Sequence, residues 1–210
     1  MKGTTLNVAN CEISPSESAK NLGVIIDSGA EMDKQVSALC KSAYFHLRNI
    51  GRIRKYLTQD PAEIIMHAFV TSKLDTCNSL LYGLPKSQLS RLQRIQNTAA
   101  RIVTRSRRED HITPVLMNLH WLPVEQRIEY KILLLTFKAL HGLAPGYLQQ
   151  LIKQYVPRRE LRSMDKMTLY NPTANLKSYG YRSFQKAAPT LWNRLPQNIT
   201  VSTLSSFKQS

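Results

Sequence analysis

Residues 89–108 constrain the fold more than any other part of the sequence, because their pattern repeats with the period of an α-helix. At ~100° per residue, aliphatic side chains fill one arc of such a helix: Leu89, Leu92, Ile95, Ala99, Ile102 and Val103. Five arginines fall within a separate arc of roughly 100°: Arg91, Arg94, Arg101, Arg105 and Arg108. The pattern predicts an amphipathic helix with one side buried and the other lined by guanidinium groups.

These arginines are part of a larger charge imbalance. The chain has 29 Lys and Arg residues against 14 Asp and Glu residues, for a net charge of +15. The excess begins after residue 30 and is spread through the rest of the chain rather than concentrated in a tail. Such a distribution favours a folded surface that lies along a polyanion, nucleic acid first and anionic membrane second. A solvated basic face without a ligand is the alternative.

The N-terminal half is predicted to be a hairpin followed by three helices. Residues 5–27 alternate like a β-hairpin, with a short apolar strand over Leu22–Asp27. A helical period then runs from Glu31 to Gly51, and the sequence Asp60–Pro61–Ala62–Glu63 is typical of the start of a second helix, which continues to Leu81. Together with the arginine-bearing helix, these segments predict a three-helix bundle.

The C-terminal half is predicted to form a second helical segment. Residues 124–140 are apolar nearly all round, and Pro145 opens a helix that continues through Tyr155. A short strand is predicted at Leu169–Tyr170 and a final helix over Ser183–Trp192. Trp121 and Trp192 are predicted core residues. The expected fold class is mainly α (α+β), with a short N-terminal β-hairpin, a three-helix bundle and a second helical segment.

Several classes of site are absent from the sequence. Cys11, Cys40 and Cys77 are far apart and form no Cys-x-x-Cys pair, which argues against a zinc knuckle or a disulfide framework. The five histidines show no metal-ligand spacing, and neither a Gly-rich phosphate loop nor a nucleophile motif occurs. We therefore expect no cofactor, no metal, no small-molecule substrate and no catalytic site. No signal peptide or membrane-length apolar run is present, so we expect an intracellular setting, nuclear or cytoplasmic, and no membrane partner.

Five stretches of the chain carry a resemblance to a known family: Asn21–Asp27, Ser42–Arg48, Leu89–Arg101, Leu119–Ile128 and Ala188–Pro196. In this order and spacing they resemble the region downstream of the catalytic core in reverse transcriptases of non-LTR (LINE-type) retrotransposons. The resemblance implies a remnant of polymerase palm strands over residues 1–28 and a thumb-like helical bundle over 29–108. It also implies a basic, mostly helical, truncated C-terminal extension over 109–210. Both ends look like cuts in a longer chain.

The family's catalytic residues do not carry over to this chain. Reverse transcriptases hold two divalent metals with clustered palm aspartates, and such chemistry needs the ions within ~4 Å of each other. No Asp-Asp pair occurs in the sequence, and Asp27 stands alone after a strand. The resemblance therefore implies a non-catalytic fragment of an RNA-directed DNA polymerase, in which the arginine-bearing helix would hold a template–primer duplex.

The candidate contacts to nucleic acid are basic residues in three groups. The arginine-bearing helix supplies Arg91, Arg94, Arg101, Arg105 and Arg108. The link between the first two helices supplies Arg52, Arg54 and Lys55, for which a solvated linker is an equal alternative. A later turn-rich stretch supplies Arg158 and Arg159, with Tyr170, Tyr179, Tyr181 and Phe184 as possible stacking partners or ordinary core aromatics.

These features predict a chain that grips nucleic acid, as a template–primer duplex or as RNA, without sequence specificity. Two alternatives remain at the level of the sequence. The chain is either a decayed fragment without function or a helical protein-interaction module whose basic face binds an acidic partner.

Overall fold

A computed structural model describes residues 6–8, 11–14, 16–156, 167–176 and 179–196. The strands are β1 (Leu6–Val8), β2 (Cys11–Ile13), β3 (Ser18–Asn21) and β4 (Val24–Asp27). The helices are α1 (Asp33–Ile53), α2 (Gln59–Met66), α3 (Ser72–Asp75), α4 (Lys86–Thr104), α5 (Ile112–Asn118), α6 (Val124–Leu140), α7 (Gly146–Gln150) and α8 (Phe184–Trp192). The predicted fold class is confirmed: the chain is mainly helical, with short antiparallel strands at its N-terminus.

The N-terminal strands form two short hairpins. β1 pairs with β2, with Leu6 opposite Ile13, and β3 pairs with β4, with Asn21 opposite Val24. The predicted strand over Leu22–Asp27 is wrong at its start, because Leu22 and Gly23 form the turn between β3 and β4. Both have positive φ, 47° and 85°, as two-residue hairpin turns require, and Leu22 is 90% exposed.

The three predicted helices of the N-terminal half are present, but the second is interrupted. It begins at Gln59, runs as α2, continues through a π-helical turn over His67–Thr71 and ends with α3. A separate 3-10 turn over Asn78–Leu81 follows. The predicted continuous helix to Leu81 is therefore wrong: Thr76 leaves the helical conformation, and Cys77 adopts a left-handed one.

The arginine-bearing helix α4 ends at Thr104, four residues before the predicted end. Arg105 has a φ of 58°, and a left-handed residue at this position is a common way for a helix to end. Arg105 and Arg108 therefore lie beyond the helix. Leu92, Ile95, Ala99 and Val103 are all buried, so the predicted apolar side faces the core.

The second helical segment forms largely as predicted. α6 and α8 match the expected ranges, but the helix opened by Pro145 ends at Gln150 instead of continuing to Tyr155. The predicted strand at Leu169–Tyr170 is reduced to one bridge between Gln154 and Leu169. The carboxamide of Asn193 takes the place of a neighbouring strand, because it bonds both N–H and C=O of Leu169 at 2.9 Å.

One large cluster of buried apolar residues draws on all three predicted parts of the chain. It contains Val24 from the hairpin region, the inner faces of α1 and α4, and residues of α5, α6 and α8 such as Leu116, Ile132 and Leu191. Both predicted core tryptophans are confirmed as buried: Trp121 is 5% exposed and Trp192 is fully buried. The predicted divisions therefore pack around a shared core.

Arg182 ties distant parts of this core together. Its guanidinium donates to the carbonyls of Ala30 (2.5 Å), Leu80 (3.2 Å) and Tyr82 (3.0 Å). Gly83 lies against the same side chain with a φ of 70°, and a Cβ at Gly83 would come within 2.8 Å of the Arg182 Cγ. This close approach requires glycine at position 83.

Glu129 on α6 is a local source of instability at neutral pH. Burial raises the pKa of its carboxyl group, the nearby Glu125 raises it further, and Arg194 partly offsets both effects. Because the folded-state pKa is raised, the stability associated with this carboxyl is fully present below its unfolded-state pKa. That stability is lost as pH rises through the folded-state pKa.

We therefore expect Glu129→Gln to raise the midpoint of thermal unfolding at pH 8 and to change it much less at pH 4. Thermal melts followed by circular dichroism at the two pH values measure this difference. Glu109→Gln, at an exposed carboxyl group in the loop after α4, is the control. An equal change at both pH values for Glu129→Gln would contradict the expectation.

Candidate nucleic-acid interface

Arg94 is the arginine of α4 that is most available to a ligand. It is exposed, and its guanidinium has no hydrogen-bond or ion-pair partner among the described residues. Arg91, one turn earlier, is only half-exposed. It donates to Gln88 Oε1 at 3.0 Å and to Ser37 Oγ on α1 at 3.1 Å. The two arginines therefore differ: Arg91 links α4 to α1, whereas Arg94 projects a free charge.

Arg101 orders the loop that follows α4. Its guanidinium donates to the carbonyls of Arg107 (3.2 Å), Arg108 (3.3 Å) and Asp110 (2.8 Å). The Asp110 carboxylate in turn accepts the backbone N–H of Arg107 at 2.6 Å. These bonds hold the loop back against the helix, so Arg108 lies beside α4 although the helix has already ended.

Arg54 is buried, contrary to its predicted place in an accessible link. It is 8% exposed, and its guanidinium donates to the carbonyls of Ile102 (2.9 Å), Val103 (2.6 Å) and Leu57 (2.6 Å). The last four carbonyls of an α-helix lack partners within the helix, and Arg54 satisfies two of those at the end of α4. Arg54 is therefore neither an accessible contact to nucleic acid nor part of a solvated linker.

Arg105 lies next to Arg54 and serves the same junction. It donates to the Arg54 carbonyl at 3.1 Å and to the Leu57 carbonyl at 3.4 Å. Burial lowers the pKa of Arg54, and the neighbouring charge of Arg105 lowers it further, although a guanidinium remains protonated at neutral pH. Two of the predicted contact residues thus join α1 to α4.

A shallow groove of about 560 Å³ runs along the outer side of α4 beside α1. Its walls combine three arginines with hydroxyl and amide groups and one aromatic ring, and they are formed by Tyr44, Arg94, Asn97, Thr98, Arg101, Ile102, Ser106 and Arg108. The groove brings together three of the five arginines of the predicted stripe. Its donors are of the kinds that bind phosphate oxygens.

The exposed side of α1 extends this groove into a wider surface. Tyr44 is 45% exposed on the groove wall, and three exposed bases share its face of α1: Lys41, Arg48 and Arg52. Arg52 is among the contact residues predicted from the sequence, whereas Tyr44, Lys41 and Arg48 are not. The signal was available, since positions 41, 44, 48 and 52 share one face of a helix, but nothing local indicated that this face lies beside α4.

We call the groove and this side of α1 the α1–α4 basic surface: Lys41, Tyr44, Arg48, Arg52, Arg94, Asn97, Thr98, Arg101, Ser106 and Arg108. Its charges are not neutralised from within. In the part of the chain that the structure describes, the single ion pair between a Lys or Arg and a carboxylate is Arg127–Asp75, which lies outside this surface. The α1–α4 basic surface therefore has a positive electrostatic potential.

Of the remaining predicted contact residues that the structure describes, Lys55 is not part of this surface. Lys55 is exposed, and its ammonium lies 4.8 Å from the centre of the Tyr56 ring. Arg158 and Arg159 lie outside the described residues. Of the aromatics predicted to accompany them, Tyr179 donates its hydroxyl to the Ser28 carbonyl at 2.6 Å, and Tyr181 lies 5.5 Å from the Lys186 ammonium. Tyr170 is 51% exposed, whereas Phe184 is partly buried against the core.

Comparison with protein-family models, with curated proteins and with solved structures finds no match to this chain. Within the described ranges, no group of three or more His, Cys, Asp or Glu side chains is arranged to hold a metal ion. None of the helices among those residues is both long and apolar enough to cross a bilayer.

Proposed function

We propose that this chain binds nucleic acid without sequence preference through the α1–α4 basic surface, as the non-catalytic C-terminal part of a non-LTR reverse transcriptase. The observation that carries the proposal is the groove in which Arg94, Arg101 and Arg108 converge on one side of α4. Phosphate oxygens would supply the negative charge that balances these guanidiniums. Arginine binds phosphate through two parallel hydrogen bonds.

The composition of the surface supports a grip on the backbone rather than recognition of bases. Its donors are charged side chains together with short amides and hydroxyls, which suit phosphate and sugar contacts. Contacts of this kind position a strand or duplex and carry no sequence information. The role proposed for the arginine-bearing helix, and for the thumb-like bundle around it, is therefore to hold a template–primer duplex or RNA.

The salt dependence of binding tests this function. If four cations of the surface engage phosphates, the logarithm of the association constant should fall against the logarithm of salt concentration with a slope of about −3 to −4. Fluorescence anisotropy with labelled duplexes and single strands of several sequences, from 50 to 300 mM salt, measures the slope. Similar slopes and affinities for all sequences are expected.

Poly-L-glutamate of matched charge is the control for an acidic protein partner. Much weaker competition by this polymer than by nucleic acid is expected, because carboxylates on a flexible peptide do not reproduce the spacing of phosphates. Equal competition would favour the protein-interaction alternative, and no binding of any polyanion at 50 mM salt would rule out the proposed function.

A further inference from the structure

A second concave site lies between the 3-10 turn over Asn78–Leu81 and helix α6. It is a pocket of about 340 Å³, within the size range of small-molecule sites. None of its lining residues belongs to the α1–α4 basic surface. A ligand bound in this pocket would therefore be held independently of the α1–α4 basic surface.

Asn78 is the most informative residue of this pocket. It is 4% exposed, and its Oδ1 has no hydrogen-bond partner among the residues that the structure describes. A buried polar atom without a partner is unfavourable, and most such atoms in proteins are hydrogen-bonded. A carboxamide offers one acceptor and two donor hydrogens, so the matching ligand group has a hydrogen-bond donor beside an acceptor.

Two of the charged groups of the pocket form an ion pair, whereas a third has no ion-pair partner among the described residues. Arg127 donates to Asp75 through two nitrogens, with the Nε–Oδ1 distance at 2.9 Å, and the two charges neutralise each other. Lys131, one turn further along α6, is exposed and has no ion-pair partner within the described ranges. The pocket thus offers one uncompensated positive charge to a ligand.

The other walls are formed by aliphatic side chains and two rings. Leu122 and Leu134 contribute aliphatic surface, while Tyr130 and His120 contribute rings. Pockets that hold an unstacked nucleobase combine such aromatic or aliphatic walls with hydrogen bonds to the polar edge of the base. Asparagine is well suited to that edge, because its carboxamide can donate and accept at once.

We propose that this pocket binds a single nucleotide, with the edge of the base hydrogen-bonded to Asn78 and the phosphate placed against Lys131. A nucleotide fits the pocket better than an amino acid, because the Asp75 carboxylate is paired with Arg127 and is therefore a weaker partner for an ammonium group. The nucleotide is either a free nucleoside monophosphate or one unit of a bound strand. The shared chemistry is a base edge and a phosphate.

The test uses the full chain titrated with the four nucleoside monophosphates and the matching nucleosides, followed by chemical shifts in ¹⁵N–¹H spectra. We expect shifts at Asn78, Tyr130 and Lys131, and about tenfold tighter binding of at least one monophosphate than of its nucleoside. Lys131→Gln should remove that tenfold difference, whereas Lys153→Gln, an exposed lysine away from the pocket, should leave it unchanged.

Asn78→Leu and Asn78→Ala separate binding from a structural role. Both should weaken monophosphate binding at least tenfold while thermal melts show a folded protein. Unchanged affinity in the folded variants would overturn the proposal, as would the absence of shifts with every nucleotide at millimolar concentration.

Two further arms identify the source of the nucleotide and its independence from the basic surface. A trinucleotide that displaces the monophosphate at lower concentration identifies a strand unit, and equal displacement identifies the free nucleotide. Arg94→Glu combined with Arg48→Glu should leave monophosphate binding intact. Loss of that binding in this variant would overturn the assignment to a separate pocket, even if the basic surface binds nucleic acid as proposed.

Discussion

Arg54→Ala is expected to lower the free energy of unfolding by about 3–4 kcal/mol, a large effect for one substitution. The change removes three charge-assisted hydrogen bonds, two of them to the final turn of α4. The carbonyls of Ile102 and Val103 would be left without their partner at a junction that is largely closed to water. Urea unfolding followed by circular dichroism measures the loss as a lower midpoint with an unchanged slope.

Two variants calibrate this result. Lys55→Ala, next in sequence but exposed, should change stability by no more than about 0.5 kcal/mol. Arg54→Lys should lie between the two, because an ammonium keeps the charge at the end of α4 but cannot reach three carbonyls with a planar fork of donors. If Arg54→Ala were as mild as Lys55→Ala, the capping role of this side chain would be wrong.

The double variant Arg94→Glu with Arg48→Glu is expected to weaken nucleic-acid binding about 100-fold at 0.1 M salt. Each substitution removes a contact to phosphate and adds a repelling carboxylate. The dependence on salt should become shallower by about one unit of slope for each lost contact. Anisotropy titrations with several duplex and single-stranded sequences measure both quantities, and all sequences should lose affinity alike.

This pair is preferable to one that includes Arg101. The Arg101 guanidinium holds the loop over residues 107–110 by three hydrogen bonds, so its loss would combine a binding effect with a structural one. Arg94 and Arg48 are exposed and have no such role among the described residues. The matched control is Lys20→Glu with Lys153→Glu, which changes the net charge equally at exposed sites elsewhere.

The control should retain most of the affinity, because charges outside the contact surface act only through a screened long-range field. An equal loss in the control would show that net charge, rather than the α1–α4 basic surface, governs binding. A loss confined to one sequence would contradict a grip on the backbone.

The sequence was most informative where the physical signal is local. The 3.6-residue period of α4 follows from its own apolar positions, and the buried Leu92, Ile95 and Val103 agree with it. The errors lie at ends and turns. Leu22 and Arg105 are ordinary residues in positive-φ conformations, which nothing in their side chains favours. The interruption of the second helix includes another such residue, Cys77, which also has a positive φ.

The same division between local and tertiary information applies to the candidate site. That arginines would occupy the exposed side of α4 follows from periodicity alone. Which of them keep a free guanidinium does not. Arg94 is free within the described residues, Arg91 is bonded to a side chain of α1, and Arg101 is bonded to the loop after its helix. Each outcome depends on acceptors that folding places nearby.

The sequence by itself determined the helical class, the buried side of each main helix and the net charge of +15, since these depend on composition and short-range spacing. Only the tertiary structure decided that α1 and α4 present one basic surface, that Asn78 lines a separate pocket, and that Arg54 is buried. The reason is separation along the chain. Two of the carbonyls that engage Arg54 lie 48 and 49 residues away, and no local pattern specifies a hydrogen bond across that distance.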